Sequence, residues 1–196
     1  GLTDALVVRR PRVAILSTGD ELVRPGTNLR PGSIYDANTF SLAAQVLATG
    51  GIPQILDVAR DTVEALTSRI HEGIADADLL VTSAGVSRGD FDVVKEVLAR
   101  EGEVDFWTVR MRPGKPLAFG SFIAQGSDGE RRVPHLGLPG NPVSAMMTFE
   151  LYGRPLLYMM LGRDDWERPY VRATLHERID NPDGRRVYAR AVITRA

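Results

Sequence analysis

The segment 78–92 constrains the fold of this chain more than any other. It begins with an apolar run at 79–81 that has the composition of a buried strand, and two glycines then interrupt the pattern. Apolar residues at helical spacing follow from Phe91, so the chain passes from a strand through a glycine-containing loop into a helix. Backbone amides in such a loop suit a phosphate group. The carboxylates of Asp90 and Asp92, placed beside an anion site, indicate metal binding or proton transfer.

The same alternation of strand and helix continues along the chain. Apolar runs of strand length alternate with segments whose apolar residues recur at helical spacing. This order predicts a three-layer α/β fold, with a mostly parallel sheet and helices on both faces. A short polar tip between the last two strands predicts an antiparallel hairpin at the sheet edge. The predicted strands are 12–16, 52–58, 79–81, 104–109, 117–123 and 133–138, and helices are predicted after Asp36, Asp61, Asp90 and Asn141.

Capping signals mark where these helices begin and end. Asp61 is predicted to be an N-cap, because Glu64 completes a D-x-x-E capping pattern. Asp90 is the natural N-cap of the helix after the glycine loop. Asn141 is the predicted N-cap of the last helix, which is expected to kink or stop near Pro155.

Three regions are predicted along the chain. Residues 12–162 contain the strand–helix pattern, and residues 1–11 form a short lead-in. Beyond this domain a polar linker precedes strand-like alternation at 170–177 and 186–193. Because two strands alone are marginally stable, 163–196 are predicted to be a linker and the first strands of an incomplete small β-domain.

Composition excludes several classes of function. The 24 basic and 25 acidic side chains nearly balance, so nothing indicates non-specific binding to nucleic acid. Cysteine is absent, which excludes disulfides, thiolate metal sites and a cysteine nucleophile. No apolar run long enough to span a membrane and no signal peptide is visible, so we expect a soluble, cytoplasmic protein. The three histidines are scattered and are expected at the surface.

Ligands of such sheets bind beyond the carboxyl ends of the strands, and that rule gathers the polar loops of this chain along one edge. Ser83, Ser87 and the amides of Gly85 and Gly89 are the candidates for holding phosphate. The loop is neither a Walker A sequence nor G-x-G-x-x-G, so alone it does not identify the ligand. The loops gathered at this edge are 18–21, 61, 83–92, 110–115 and 139–142.

Charged and rigid groups complete the candidate site. Asp20 or Glu21 is expected to face the ligand, directly or through a metal, and Asp61 can cap its helix and still project towards the site. Arg112 and Lys115 flank a tight turn and suit phosphate. Pro139, Asn141 and Pro142 at the entry to the last helix are compatible with two interpretations, a rigid helix start or a stiff wall whose backbone amides contact the ligand.

Six blocks of sequence, in this order, identify a family resemblance. They are S-T-G-D-E-L at 17–22, G-S-I-Y-D-A-N at 32–38, R-D at 60–61, S-A-G-V-S-R-G-D-F-D at 83–92, R-P-G-K-P at 112–116 and G-L-P-G-N-P-V-S at 137–144. Together they resemble the molybdopterin molybdenumtransferase family, which includes MoeA and the E domain of animal gephyrin. The resemblance implies that 12–162 are a molybdopterin-binding domain with the MogA/MoaB-like fold.

The resemblance also implies a reaction and roles for particular residues. Enzymes of this family insert molybdate into adenylylated molybdopterin and release AMP, with the help of a divalent cation such as Mg²⁺. Glu21, Asp61 and Asp92 match the functional acids of the family, and Glu21 and Asp92 are the expected metal ligands. Arg112 and Lys115 match its basic turn, with arginine where lysine is usual. Pro139 and Pro142 match its proline loop, and two departures are Ala84, where glycine is usual, and Thr108, where lysine is common.

Family members are homodimers with N-terminal domains and a complete C-terminal β-domain, and the neighbouring subunit contributes to the active site. The resemblance therefore predicts that this chain binds the pterin nucleotide but inserts molybdenum poorly, and that a molybdopterin adenylyltransferase is a potential partner. Three other functions remain open at this stage. They are a molybdopterin adenylyltransferase of the MogA type, a nucleotide hydrolase of the CinA type, and a non-catalytic scaffold.

Overall fold

The computed structural model describes residues 3–84, 91–126 and 129–194, with the backbone only at 91–93. In chain order the elements are β1 (Arg12–Ser17), β2 (Leu22–Val23), β3 (Ile34–Tyr35), α1 (Asn38–Thr49), β4 (Ile52–Ile55), α2 (Val63–Asp76), β5 (Leu79–Ser83), α3 (Phe91–Glu101), β6 (Gly102–Thr108), β7 (Met111–Arg112), β8 (Pro116–Gly126), β9 (Gly129–Leu138), α4 (Pro142–Thr148), a π-helical turn (Phe149–Gly153), α5 (Arg154–Met160) and β10 (Arg186–Val187).

A six-stranded sheet in the order β4-β1-β5-β9-β8-β6 forms the centre of the molecule. The strands β4, β1, β5 and β9 are parallel, and β8 pairs antiparallel with both β9 and β6. The mostly parallel sheet and the antiparallel hairpin are therefore confirmed. Because two antiparallel steps restore the direction, β6 points the same way as β9 and its carboxyl end lies at the same edge.

Two apolar clusters cover the two faces of this sheet. Alternate side chains of β1 enter different clusters, with Ala14 and Leu16 in one and Val13 and Ile15 in the other. The first cluster takes its helical residues from α2 and α3, and the second takes them from α1, α4, α5 and the π-helical turn. The three-layer arrangement is confirmed, and it leaves the carboxyl edge of the sheet to the connecting loops.

The start of α2 differs from the prediction. Thr62 is the N-cap, and its hydroxyl accepts a hydrogen bond from the N–H of Ala65 at 3.3 Å. Asp61 lies one residue earlier, where its own N–H donates to Oδ1 of Asp20 at 3.3 Å. The prediction that Asp61 caps this helix is wrong, because Asp61 and Thr62 are both good capping residues and a tertiary contact selects between them.

Strand and helix ends differ in detail elsewhere. The strand predicted at 52–58 ends at Ile55, and the loop to α2 then begins. The last helix is distorted near Pro155, as predicted, and the distortion is the π-helical turn just before that residue. Proline has no N–H to donate to the preceding turn, and the wider turn accommodates this loss. An ion pair joins Arg154 Nε to Glu150 Oε1 across the turn at 2.7 Å.

The C-terminal region contributes little regular structure. Between 163 and 194 the structure has only β10, which pairs in parallel with β7. The strand expected at 170–177 is not formed, and these residues are exposed. A strand needs a paired neighbour, and the described residues offer 170–177 none.

One of the three histidines is buried, although all three were expected at the surface. His135 lies in β9, between β5 and β8, and is fully buried. Its Nε2 is 3.0 Å from Oγ1 of Thr82, and its ring meets Phe122 edge-on. Burial lowers the pKa of His135 to about 3, so this side chain is neutral and belongs to the core.

None of the helices in the described part of the chain is both long and apolar enough to span a membrane.

Candidate functional site

Three loops leave the sheet side by side at its carboxyl edge. They follow β1, β5 and β9, which are neighbours in the sheet. The N–H of Thr18 donates to the carbonyl of Ser83 at 3.3 Å, and the N–H of Ala84 donates to the carbonyl of Leu138 at 3.2 Å. The first residues of all three loops are therefore held at hydrogen-bond distance from one another.

Asn38, the first residue of α1, joins two of these loops. Its Nδ2 donates to Oγ of Ser83 at 2.6 Å and to the carbonyl of Gly140 at 2.7 Å. The side chain is 8% exposed, and its Oδ1 has no hydrogen-bond partner among the described residues. No role for Asn38 was predicted from the sequence, because its contact with Gly140 joins residues that are remote in sequence.

A second buried polar group lies beside Asn38. Asp36 is 4% exposed, and its Oδ1 accepts hydrogen bonds from Oγ of Ser17 and from the N–H of Thr39, both at 3.1 Å. Thr39 Oγ1 donates to the other carboxylate oxygen at 2.5 Å. This carboxylate thus fixes the start of α1 against the end of β1, a role that was not predicted from the sequence. Next to Asp36 and Thr39 lies a small cavity of about 130 Å³.

The acidic candidates come from two adjacent loops. Asp20 connects them, since its Oδ1 accepts the N–H of Asp61. The carboxylate of Glu21 lies against Gly19, where a Cβ would be 2.6 Å from Oε2, and Gly19 has φ of +143°. The positive φ favours glycine at that position, whereas the exposed carboxylate of Glu21 can move away from a Cβ. Glu21 is exposed, and its backbone carbonyl accepts the N–H of Ile34 at 2.8 Å.

Within residues 3–84, 91–126 and 129–194, no three His, Asp or Glu side chains are grouped as metal ligands would be. Asp92 is in the first turn of α3, and its side chain lies outside the described residues. Gly85, Ser87, Gly89 and Asp90 also lie outside them.

The turn that bears Arg112 and Lys115 connects β6 to β8 at the same edge. It contains a cis peptide bond before Pro113, and Gly114 has φ of +93°. The N–H of Val109 donates to the carbonyl of Lys115 at 2.8 Å and closes the turn. Both basic side chains are exposed.

Gly114 packs directly against α4. A Cβ at this position would be 2.5 Å from Oγ1 of Thr148 and 2.8 Å from the methyl carbon of Met111. A side chain would therefore push the basic turn away from the helix. The glycine thus determines how closely Arg112 and Lys115 approach the body of the domain.

The proline loop runs from the end of β9 into α4. Asn141 is the N-cap, as predicted, and its Oδ1 accepts from the N–H groups of Val143 and Ser144 at 3.1 and 3.3 Å. Pro142 is the first residue of the helix, and Pro139 is buried. The loop approaches the glycine loop closely, since a Cβ on Gly140 would be 3.3 Å from Cβ of Ala84.

The structure thus brings the described parts of the five predicted loops to one edge, which is the arrangement of a ligand-binding α/β domain. A family profile described as "Probable molybdopterin binding domain" matches residues 14–158, and the chain belongs to this family.

The chain is 39% identical to molybdopterin molybdenumtransferase 2 of Mycobacterium tuberculosis over 98% of its own length and 47% of that protein. It is 39% identical to the molybdopterin molybdenumtransferase of Nostoc over 93% of its length and 41% of that protein. It therefore spans about half the length of the curated relatives it matches.

Solved structures agree with this assignment. The MoeA protein of Pyrococcus horikoshii matches 80% of this chain and 37% of its own, with a TM-score of 0.67 and 36% identity. The MoaB protein of Pyrococcus furiosus matches 78% of this chain and 96% of its own, with a TM-score of 0.56 but only 15% identity, which shows the shared fold alone.

Proposed function

We propose that this chain is the substrate-binding part of a molybdopterin molybdenumtransferase, which inserts molybdate into adenylylated molybdopterin and releases AMP. The observation that supports this most strongly is that the relatives matched over almost the whole chain bear that name. The physical support is the convergence at one edge of the basic turn, the acidic loops and the proline loop.

The chemistry of the site follows from its charges. Arg112 and Lys115 attract and orient the phosphates of the nucleotide, since a guanidinium and an ammonium both pair well with phosphate oxygens. Ser83 and the loop amides that follow it, including those of Gly85, Ser87 and Gly89, hold the same group. Pro139, Asn141 and Pro142 form a wall of the site that the N-cap of α4 keeps rigid.

The acidic side chains suit a divalent cation. Mg²⁺ prefers oxygen ligands and is usually held by one or two carboxylates together with substrate phosphates. Glu21 and Asp92 would hold the ion, and Asp61 would orient its ligands from the neighbouring loop. When bound, the cation neutralises the phosphate charge that develops as AMP leaves.

Further features of the proposal concern the assembled protein. The full-length enzyme acts as a cytoplasmic homodimer and receives its substrate from a molybdopterin adenylyltransferase. We propose that the 196-residue chain alone binds the pterin nucleotide but inserts molybdenum more slowly than a full-length relative. A turnover rate equal to that of a full-length relative would overturn this part of the proposal.

Asp92→Ala tests the proposed chemistry. Loss of a metal-holding carboxylate should abolish AMP release, measured in single turnovers with excess protein, molybdate, Mg²⁺ and adenylylated molybdopterin. The matched control is Asp76→Ala, because Asp76 ends α2 at the opposite edge of the sheet and its loss should leave AMP release unchanged. Circular dichroism would verify that both variants fold. Normal AMP release by Asp92→Ala would remove Asp92 from the mechanism.

A further inference from the structure

The amide of Asn38 has an orientation that its neighbours determine. The carbonyl of Gly140 can only accept a hydrogen bond, so the atom 2.7 Å from it must be the donor Nδ2. The same nitrogen donates to Oγ of Ser83 at 2.6 Å. The hydroxyl hydrogen of Ser83 therefore points away from Asn38, because Asn38 is the donor in that bond.

The unpaired Oδ1 atom of Asn38 indicates that the amide is not present for packing alone. Oδ1 of Asn38 is buried and has no partner among the described residues, and an unpaired buried acceptor costs free energy. An apolar side chain of similar size would avoid that cost but would lose both donor contacts. The structure therefore retains the amide for what it joins, and its spare acceptor can take a hydrogen bond from a ligand or a water molecule.

The two groups that Asn38 joins belong to different parts of the site. Ser83 ends β5 and starts the loop whose amides are candidates for phosphate binding. Gly140 belongs to the proline loop, and the N–H of Ala84 adds a backbone link between the same two segments. Asn38 itself is anchored by α1, whose first turn is held by Asp36. The side chain thus connects a helix to both loops at one point.

We propose that Asn38 is a positioning residue of the ligand site, which sets the spacing between Ser83 at the end of β5 and Gly140 of the proline loop so that both contact the phosphate-bearing ligand together. This inference rests on the proposed function, since it takes adenylylated molybdopterin as the ligand. Asn38 acts through Ser83 and Gly140, so its effect on affinity depends on the Ser83 hydroxyl.

A double-mutant cycle tests this dependence. The dissociation constant of adenylylated molybdopterin is measured for the unaltered chain, Asn38→Ala, Ser83→Ala and the double variant. Asn38→Ala should weaken binding about 10-fold, the factor that corresponds to one lost hydrogen bond of ordinary strength. The double variant should bind no more weakly than the weaker single variant, because the two side chains act as one unit.

The control is Thr49→Val. Thr49 lies at the other end of α1, is equally buried, and donates one hydrogen bond to the carbonyl of Gln45 at 2.7 Å. Its loss should lower stability but leave the dissociation constant unchanged, which separates a general weakening of α1 from an effect on the site.

Asn38→Asp makes the affinity depend on pH in a way that a purely structural role of Asn38 would not. The carboxylate has the shape of the amide but cannot donate to Gly140, so binding at pH 7.5 should be at least as weak as for Asn38→Ala. As the pH falls through the pKa of the new carboxyl, a donor returns and affinity should recover relative to the unaltered chain.

The possible results are distinct. If the unaltered chain does not bind adenylylated molybdopterin, the proposed function fails. If the unaltered chain binds, Asn38 is not the positioning residue under either of two results. One is that Asn38→Ala and Asn38→Asp bind as tightly as the unaltered chain; the other is that the effects of the Asn38 and Ser83 substitutions on the binding free energy simply add.

Discussion

Ala84 adopts a backbone conformation that favours glycine. Its φ is +78°, and it is the one non-glycine residue with positive φ in the described ranges. An alanine there is less favourable than glycine, because its Cβ approaches the backbone. The family resemblance implies glycine at this position, and the positive φ of Ala84 explains why alanine there is a costly departure.

Ala84→Gly should therefore raise the free energy of unfolding by up to about 1 kcal/mol, since relief of the positive φ outweighs the added entropy of the unfolded chain. Urea denaturation measures the change. In the control Ala44→Gly, glycine replaces an exposed alanine inside α1 and should lower stability by about 0.5–1 kcal/mol. An equal loss in both variants would contradict the conformation of Ala84.

Asn141 stabilises the start of α4 through its side-chain oxygen. Asn141→Ala removes the acceptor for two N–H groups of α4 and should lower the free energy of unfolding by about 1 kcal/mol. Asn141→Ser retains a capping oxygen and should restore most of that stability. If Asn141→Ser also restores ligand affinity, capping explains the residue; if only stability returns, Asn141 contacts the ligand as well.

Not every functional position was accessible from the sequence. The identity of capping residues was predictable at Asn141, where proline follows and leaves one choice. It was not predictable at 61–62, where two capping residues are adjacent and a contact from Asp20 decides. The role of Asn38 depends on Gly140, which is remote in sequence, so no local pattern could reveal it.

At the level of the elements, hydrophobic periodicity predicted the sheet well. Continuous apolar runs correspond to strands buried on both faces, and β1 and β5 are of this kind. Hydrophobic periodicity predicted a strand at 170–177 that is not formed. Alternation describes how a strand would bury one face, and it does not show whether a neighbouring strand exists to pair with it. The same periodicity could have predicted the burial of His135, since this residue faces the same side of β9 as the buried Val133.

The burial of His135 makes stability depend on pH. Its pKa is about 3 in the folded protein, below the usual value near 6.5, so the unfolded chain binds the proton more readily between these values. The stability is complete above pH 6.5 and falls as the pH decreases towards 3. From pH 7 to pH 5 this residue should cost about 2 kcal/mol.

Urea denaturation of His135→Leu at both pH values tests this expectation. The variant should lose less stability than the unaltered protein over that interval, whatever its stability at pH 7. His176→Gln, at an exposed position, should lose as much as the unaltered protein. The burial of His135 would be contradicted if the two variants had the same pH dependence.

Residues 163–194 differ from the domain that precedes them in how little of their surface is buried. Between these limits nearly every residue is exposed, and regular pairing is limited to β10. The attachments are few. The N–H groups of Arg186 and Tyr188 donate to carbonyls of the basic turn at 2.9 Å, and Arg168 pairs with Glu150 at 2.6 Å. Segments with little burial open at a small free-energy cost, whereas the sheet opens only with the whole domain.

Limited digestion with trypsin should therefore cut first in this region, at Arg172 and Arg178, and leave a resistant domain that includes 12–162. Arg69 in α2 and Arg100 in α3 are internal controls, because each lies in a helix packed against the sheet and should be cut only as fast as the domain unfolds. Mass spectrometry of early time points gives the order of the cuts. Cleavage at Arg172 and Arg178 that is no faster than at Arg69 and Arg100 would show that the C-terminal region is held as firmly as the sheet.

In that case the basic turn has a stable partner in β10, and removing β10 should weaken ligand binding through Arg112, whose carbonyl accepts the N–H of Tyr188.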